Sequence, residues 1–280
     1  MGETQGGRSG PPSILAPLAF IGARMGSLLD HVGSVVLLLV SALHWIHRAL
    51  ILRKVRIGKA GIIAQIVRIG VRSIFIITVV SGSVGLILAL QMAPPLDELG
   101  QRDKVANIIG VAVFRELGPL IAAIVLTGFA GAAIAAEIGT MVVGEEVEAL
   151  EAHALNPVRF LVVPRVIAAT VSMAALTVLA NLASVTAALL MAITVLQIPY
   201  DTFVDNMLGQ VKLVDFMTGW FKSIVFGLLI GIIACANGLN VTGGAAGVGR
   251  ATTRTVVESV VAIVVADLVF TTIFYALKLV

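Results

Sequence analysis

Residues 166–200 contain no Asp, Glu, Lys or Arg, and this stretch constrains the fold more than any other feature of the chain. An α-helix needs about 20 apolar residues to cross the hydrocarbon core of a bilayer. The stretch is too long for one upright helix, and no Gly or Pro turn divides it before Pro199. We therefore predict one long, tilted membrane helix, because tilt absorbs surplus apolar length.

Four further segments have the length and composition of membrane spans. They are residues 73–93, 117–136, 216–237 and 255–277. Only 12% of the whole chain is charged, whereas a soluble domain has about 25% charged residues and needs them to cover its surface. The sequence therefore predicts an all-α integral membrane protein with five transmembrane helices.

The N-terminal part of the chain has a different character. Residues 1–12 are polar and contain Gly and Pro, which predicts a flexible tail. The apolar run at 32–46 is short for a span, has Trp45 near its end and is followed by a cluster of cations. Such a pattern is typical of a helix that lies in the membrane interface. We predict an interfacial segment over 13–60 and a five-span domain over 61–280, with a sixth span at 32–46 as the alternative.

The distribution of Lys and Arg predicts the orientation. Cytoplasmic loops of membrane proteins carry an excess of these residues. If the basic segment 48–72 is cytoplasmic and five spans follow it, Arg159, Arg165, Arg250 and Arg254 are cytoplasmic as well. The N-terminus is then cytoplasmic and the C-terminus extracytoplasmic.

An acidic segment lies between the second and third predicted spans. No Lys or Arg occurs between Arg115 and Arg159, whereas several glutamates do. Val143, Val147, Leu150 and Ala154 recur at the spacing of one helix face. The pattern predicts a short amphipathic cytoplasmic helix, which is either a solvated connector or a docking element for a cytoplasmic partner.

Charged residues within the spans are costly in a bilayer and therefore point to function. Arg115 and Glu116 are adjacent, so each needs its own partner or water. They indicate either a hydrated outward cavity or ion pairs between helices. Lys222 and Asp267 lie at similar predicted depths, and we expect them to form a structural ion pair. On this basis Asp267→Asn alone is harmful and neutralising both residues is milder.

Several classes of site are disfavoured by the residues present. One cysteine and four scattered histidines do not predict a metal site. Residues 244–249 have the G-x-x-x-x-G spacing of a phosphate-binding loop, but Lys and Ser or Thr do not follow. We predict a flexible cytoplasmic turn there instead, and no nucleotide site.

Particular motifs resemble those of the MlaE/YrbE-type permeases of lipid-transporting ABC systems. They are Arg115 to Pro119, Gly131 to Met141, Glu145, Ala149 to Glu151, Asn156-Pro157, Pro164-Arg165, Asn237-Gly238, Gly247 and Arg250 to Val256. The resemblance covers roughly residues 60–275. Glu146 and Asn156 depart from the residues that are common in the family, and both lie in the acidic segment.

The resemblance implies a function and a set of partners. The chain would be the permease subunit of an ATP-driven lipid transporter, most simply of phospholipid, in a bacterial inner membrane. A second permease copy, a cytoplasmic ABC ATPase and a periplasmic MCE-domain protein would complete the complex, and nucleic acid would play no part. The chain itself would hold no cofactor, because ATP and Mg²⁺ would bind to the ATPase.

The resemblance also implies two groups of site residues. The lipid-binding cavity would involve Leu86, Leu90, Gln91, Met92, Arg115 and Glu116. A coupling helix at about 140–153 would dock on the ATPase, and the coupling residues would be Glu137, Gly139, Met141, Glu145, Glu146, Val147, Leu150 and Glu151.

Three other functions remain open from the residues alone. An ion-coupled secondary transporter would use Glu116, Asp267 or Glu258 as a proton relay. A membrane enzyme of lipid synthesis would need a cluster of acids or histidines, which the sequence does not show. A lipid-handling membrane scaffold would need neither.

Overall fold

A computed structural model describes residues 16–50 and 59–278, and all regular structure in these residues is helical. The predicted tail at 1–12 lies outside the described residues. The helices are α1 (Ala16–Leu50), α2 (Lys59–Ile69), α3 (Ile74–Glu98), α4 (Val105–Ala112), α5 (Gly118–Leu126), α6 (Ala132–Val143), α7 (Glu146–Ala152), α8 (Val163–Thr194), α9 (Tyr200–Gln210), α10 (Leu213–Leu239) and α11 (Gly244–Ala276).

Six helical segments are long and apolar enough to cross a membrane, judged by length and composition. They are Leu29–Arg48, Ala60–Glu98, Arg102–Val143, Val158–Thr194, Leu213–Leu239 and Gly244–Ala276. The predicted class, an all-α integral membrane protein, is therefore confirmed.

Helix α8 is the centre of the bundle. It runs parallel to α3, since Gly70 lies at Ser172 and Gly85 lies at Ser184. It runs antiparallel to α10, since Gly227 lies at Thr170 and Gly231 at Val166. The small residues let the helix backbones approach closely. Membrane helices associate through such close packing, because the hydrophobic effect does not drive helices together in lipid. One end of the bundle carries α7 and the other carries α9, and we call them the α7 end and the α9 end.

Helices α4, α5 and α6 form one continuous rod that contains two π-helical turns, at Val113–Leu117 and Thr127–Gly131. A third π turn, Val158–Val162, leads into α8. Single π turns within α-helices are frequent at functional sites. The first π turn holds Arg115 and Glu116, and the third holds Arg159.

Helix α1 lies across the α7 end of the bundle. His31 contacts Glu258 at 3.0 Å, and Glu258 also binds Asn237, close to the end of α10. The guanidinium of Arg159 lies over the ring of Trp45. Arg159 belongs to the π turn just before α8 begins. The antiparallel packing of α8 and α10 puts Asn237 and Arg159 at the same level of the bundle. Two points of α1 that are about 21 Å apart along its axis thus meet one end of the bundle.

Three predicted boundaries were wrong. The third span ends at Thr194 instead of Tyr200, because Gln197 adopts a left-handed conformation with φ of 55° and Pro199 disfavours helical backbone in Ile198. Helix α11 begins at Gly244, so the predicted flexible turn at 244–249 is helical. The predicted coupling helix at 140–153 is interrupted at Gly144 and Glu145, where Glu145 adopts a left-handed conformation with φ of 59°. Val143 therefore belongs to α6 and does not share a helix face with Leu150.

Candidate functional site

Helix α7 protrudes between α6 and α8. It starts after the left-handed Glu145 and ends in a Schellman-type turn, in which the N–H of Leu155 donates to the carbonyl of Leu150 at 2.9 Å. Asn156 then starts the next helix, because its Oδ1 accepts the N–H of Arg159 at 3.2 Å. The C-terminal end of α7 is thus fixed by a local hydrogen bond, and the helix that follows it is capped. The chain presents α7 as a defined knob.

The coupling residues predicted from the family resemblance fall into two groups. Val147 and Leu150 are half-buried on α7, and the carboxylates of Glu145, Glu146, Glu148 and Glu151 are exposed around them. Gly139 instead faces the bundle, where a Cβ atom would lie 2.8 Å from Val241. Met141 is half-buried, with its sulfur 4.0 Å from Arg165 Nη2. The α7 residues are therefore suited to contact a partner. Gly139 and Met141 instead pack against the rest of the bundle.

Glu137 lies at the base of this knob and joins three helices. Its carboxylate forms an ion pair with Arg68 of α2 and lies 3.5 Å from the Nε of Arg165 on α8. Arg165 also donates to the carbonyl of Leu161 at 2.9 Å. The cluster fixes the end of α6 to α2 and α8, so that a force applied to α7 acts on three helices together.

Arg115 is bound at the α9 end of the rod. Its Nε donates to Asp215 Oδ1 at 2.6 Å, and the other oxygen of Asp215 accepts the backbone N–H of Lys212 at 2.8 Å. Asp215 is buried, so its charge is compensated by the arginine and by the first turn of α10. Nothing in the sequence pattern assigned Asp215 as the partner of Arg115.

Lys222 is the centre of a second charged cluster, which we call the Lys222 cluster. Its ammonium lies 2.6 Å from Glu116 Oε2, 3.0 Å from Asp267 Oδ1 and 2.8 Å from Thr271 Oγ1. Thr271 in turn donates to Glu116 at 3.0 Å. The contact predicted between Lys222 and Asp267 is present, and Glu116 is an additional member. The cluster links the first π turn, α10 and α11 inside the apolar bundle.

The residues predicted for the lipid cavity lie on two elements of the bundle, α3 and the first π turn. Leu90 and Gln91 are exposed on α3, whereas Leu86 and Met92 are half-buried. Arg115 and Glu116 instead face α10 and α11. In the part of the chain that the structure describes, no hydrogen bond or ion pair joins the α3 residues to these charges.

A third polar cluster lies at the α7 end of the bundle and was missed by sequence reasoning. Glu258 accepts from Asn237 Nδ2 at 2.8 Å and from Arg254 Nε at 2.7 Å, and it contacts His31 Nε2 at 3.0 Å. Glu258, one of two acids in the span predicted at 255–277, was the available signal. Its partner His31 is 227 positions away in sequence.

Comparison with known proteins agrees with this arrangement. The family model described as Permease MlaE matches residues 62–273. A probable ABC transporter permease protein of Rickettsia prowazekii is 35% identical over 76% of this chain and 83% of its own length. One from Synechocystis is also 35% identical, over 76% of this chain and 81% of its length. The chloroplast protein trigalactosyldiacylglycerol 1 of Arabidopsis thaliana is 34% identical over 75% of this chain and 60% of its length.

Proposed function

The chain belongs to the MlaE permease family, and on that premise we propose that it carries lipid, by default phospholipid, for an ATP-driven bacterial transporter. It is a multi-pass membrane protein and the permease of an ABC transporter. We place it in the inner membrane, where it exchanges lipid with the periplasmic side. The direction of transport is left open in this proposal.

The observation that carries the proposal is the exposed acidic helix α7, whose base is held by the ion pairs of Glu137 with Arg68 and Arg165. An ABC permease receives work from a separate ATPase, so it needs a surface that the ATPase can push. Val147 and Leu150 offer a small apolar contact, and the surrounding glutamates offer charge complementarity to a basic groove. The Glu137 ion pairs then transfer the push to α2, α6 and α8. ATP and Mg²⁺ would be bound by that partner.

Two features support a lipid as cargo. The membrane-embedded groups Arg115 and Glu116 are partly exposed, and polar groups next to an apolar surface suit a molecule with a charged head and apolar tails. The name of the Arabidopsis relative also refers to a diacylglycerol lipid. Because Leu90 and Gln91 are exposed on α3, whereas Arg115 and Glu116 pair with residues of α10, we propose that a second permease copy completes the cavity. A periplasmic MCE-domain protein would contact the α9 end and exchange lipid there.

The first experiment tests the docking role of α7. The tagged chain is co-expressed with its ATPase subunit, and the amount of ATPase that copurifies is measured. We expect Leu150→Asp to abolish copurification, because a carboxylate in the apolar contact is desolvated without a partner. Leu208→Asp is the matched control, since Leu208 is an exposed leucine at the α9 end. Full retention of the ATPase by Leu150→Asp would contradict the proposal.

The second experiment tests the cargo. The purified complex is placed in vesicles that contain labelled phospholipid, and transfer is followed with and without ATP. We expect transfer that depends on ATP and on the ATPase subunit. Transfer by the permease alone along an ion gradient would instead support a secondary transporter.

A further inference from the structure

Helix α1 contacts the rest of the bundle at two separate places. At one place the guanidinium of Arg159 lies 5.7 Å from the centroid of the Trp45 ring, and Arg48 lies 5.4 Å from the same ring. At the other place His31 Nε2 lies 3.0 Å from Glu258 Oε2. Between these places Ala42 is fully buried against the bundle.

The first contact adjoins α7. Arg159 belongs to the π turn that follows α7, and its backbone N–H donates to Asn156 in the connecting turn. Only two residues separate Asn156 from Arg159. A displacement of the C-terminal end of α7 therefore moves Arg159, and with it the ring of Trp45.

The second contact belongs to the pair formed by α10 and α11. Asn237 of α10 donates to Glu258 of α11 at the α7 end of the bundle. Lys222 of α10 contacts Asp267 of α11 nearer the α9 end. The two helices are thus tied to each other at two levels. A displacement of Glu258 moves both helices and the Lys222 cluster that they hold.

We infer that α1 is a strap that transmits the displacement of α7 to the α10–α11 pair, with His31 and Glu258 as its positioning residues. The segment from His31 to Trp45 is uninterrupted helix, which resists compression along its axis. Helices α7 and α11 do not follow one another in the chain, so the strap links the turn after α7 to Glu258 of α11. The inference rests on the proposed function, because it assumes that an ATPase moves α7.

The test compares transport with ATP consumption in the reconstituted complex of permease and partner subunits. Lipid transfer and ATP hydrolysis are measured in the same vesicles. We expect His31→Ala and Glu258→Ala each to lower the number of lipids moved per ATP by about fivefold or more, the size of a typical coupling between sites. The double variant should be no worse than the more severe single variant, because both remove the same contact.

Two variants serve as controls. His47→Ala removes an exposed histidine of the same helix and should leave the ratio unchanged. His31→Lys keeps a donor for the Glu258 carboxylate and should restore the ratio. If His31→Ala does not assemble, Glu258→Gln removes the charge while keeping the shape of the side chain and supplies the same comparison.

The possible outcomes separate the two proposals. If His31→Ala and Glu258→Ala lower transfer and hydrolysis by the same factor, or change neither, α1 is a simple membrane anchor and the inference is wrong. If the wild-type complex hydrolyses ATP without moving lipid, the proposed function fails and the inference fails with it.

Discussion

Single residues in the bundle are governed by how buried charges are compensated. Lys222 is only 1% exposed, so its ammonium depends on protein oxygens for all of its solvation. It faces two carboxylates, those of Glu116 and Asp267, and one hydroxyl. The cluster therefore contains one cation for two anions. Removing the cation is far more costly than removing either anion.

This balance changes the mutational expectation that the sequence gives. Lys222→Met leaves two uncompensated carboxylates and should destabilise the protein by about 3–5 kcal/mol. Asp267→Asn leaves Lys222 paired with Glu116 and should cost much less. The double variant should remain unstable until Glu116→Gln is added. The thermal unfolding midpoint of the purified protein in detergent measures all four. If Asp267→Asn lowered the unfolding midpoint as much as Lys222→Met does, the charge balance would be contradicted.

Among the elements, the parallel pair α3 and α8 depends on close backbone approach. Gly85 allows this approach, because a Cβ atom on it would lie 2.0 Å from the carbonyl oxygen of Ser184. The hydroxyl of Ser184 donates to the carbonyl of Ser81 at 2.8 Å and fixes the register. The contact is as close as two helices can come, and it has no room for a methyl group.

A pair of alanine substitutions tests this contact. Gly85→Ala should destabilise the protein by about 1–3 kcal/mol, because the helices must separate to admit the methyl group. Gly82→Ala, less than one turn away, would place its Cβ at an ordinary distance of 3.8 Å from Ala183 and Ala187. It should be neutral or slightly stabilising, since alanine favours helix. Equal unfolding midpoints for the two variants would show that α3 and α8 are not closely packed at Gly85.

The sequence predicted the helical elements better than their ends. Length and hydropathy located the five spans, because these properties follow from the thickness of the bilayer. The end of α8 and the break before α7 depend on local backbone geometry, such as the left-handed Glu145, which composition does not report. The π turns likewise leave no compositional signal. The pair of Lys222 and Asp267 could be predicted from the similar depths of the two residues in their spans. The roles of Asp215 and His31 became visible only in the three-dimensional arrangement.

The whole molecule has two different ends, and this defines its topology. Helix α7 and the α1 strap lie at one end, and α9 lies at the other. With five spans after α1, the basic-residue rule predicts a cytoplasmic α7 end and an extracytoplasmic α9. An interfacial α1 keeps all of its described residues on the α7 side of the membrane.

Single cysteines read this topology directly, since the native Cys235 is buried. In spheroplasts treated with a membrane-impermeant maleimide, we expect Asp205→Cys to react and His153→Cys to react only after permeabilisation. Asp30→Cys and His47→Cys should both behave like His153→Cys, because the interfacial interpretation keeps α1 on one side of the membrane. Reaction of Asp30→Cys in intact spheroplasts would instead make α1 a sixth span.

The rod from α4 to α6 also sets how far the protein tolerates a change in length. Each π turn holds one residue more than the regular helix needs, and one residue corresponds to about 100° of rotation. Deleting a residue within Thr127–Gly131 would restore an ordinary helix and swing Glu137 away from both arginines, while every apolar position stayed apolar. The angular phase of this rod thus depends on residue count, and a one-residue deletion there would rotate the end of the rod that carries Glu137.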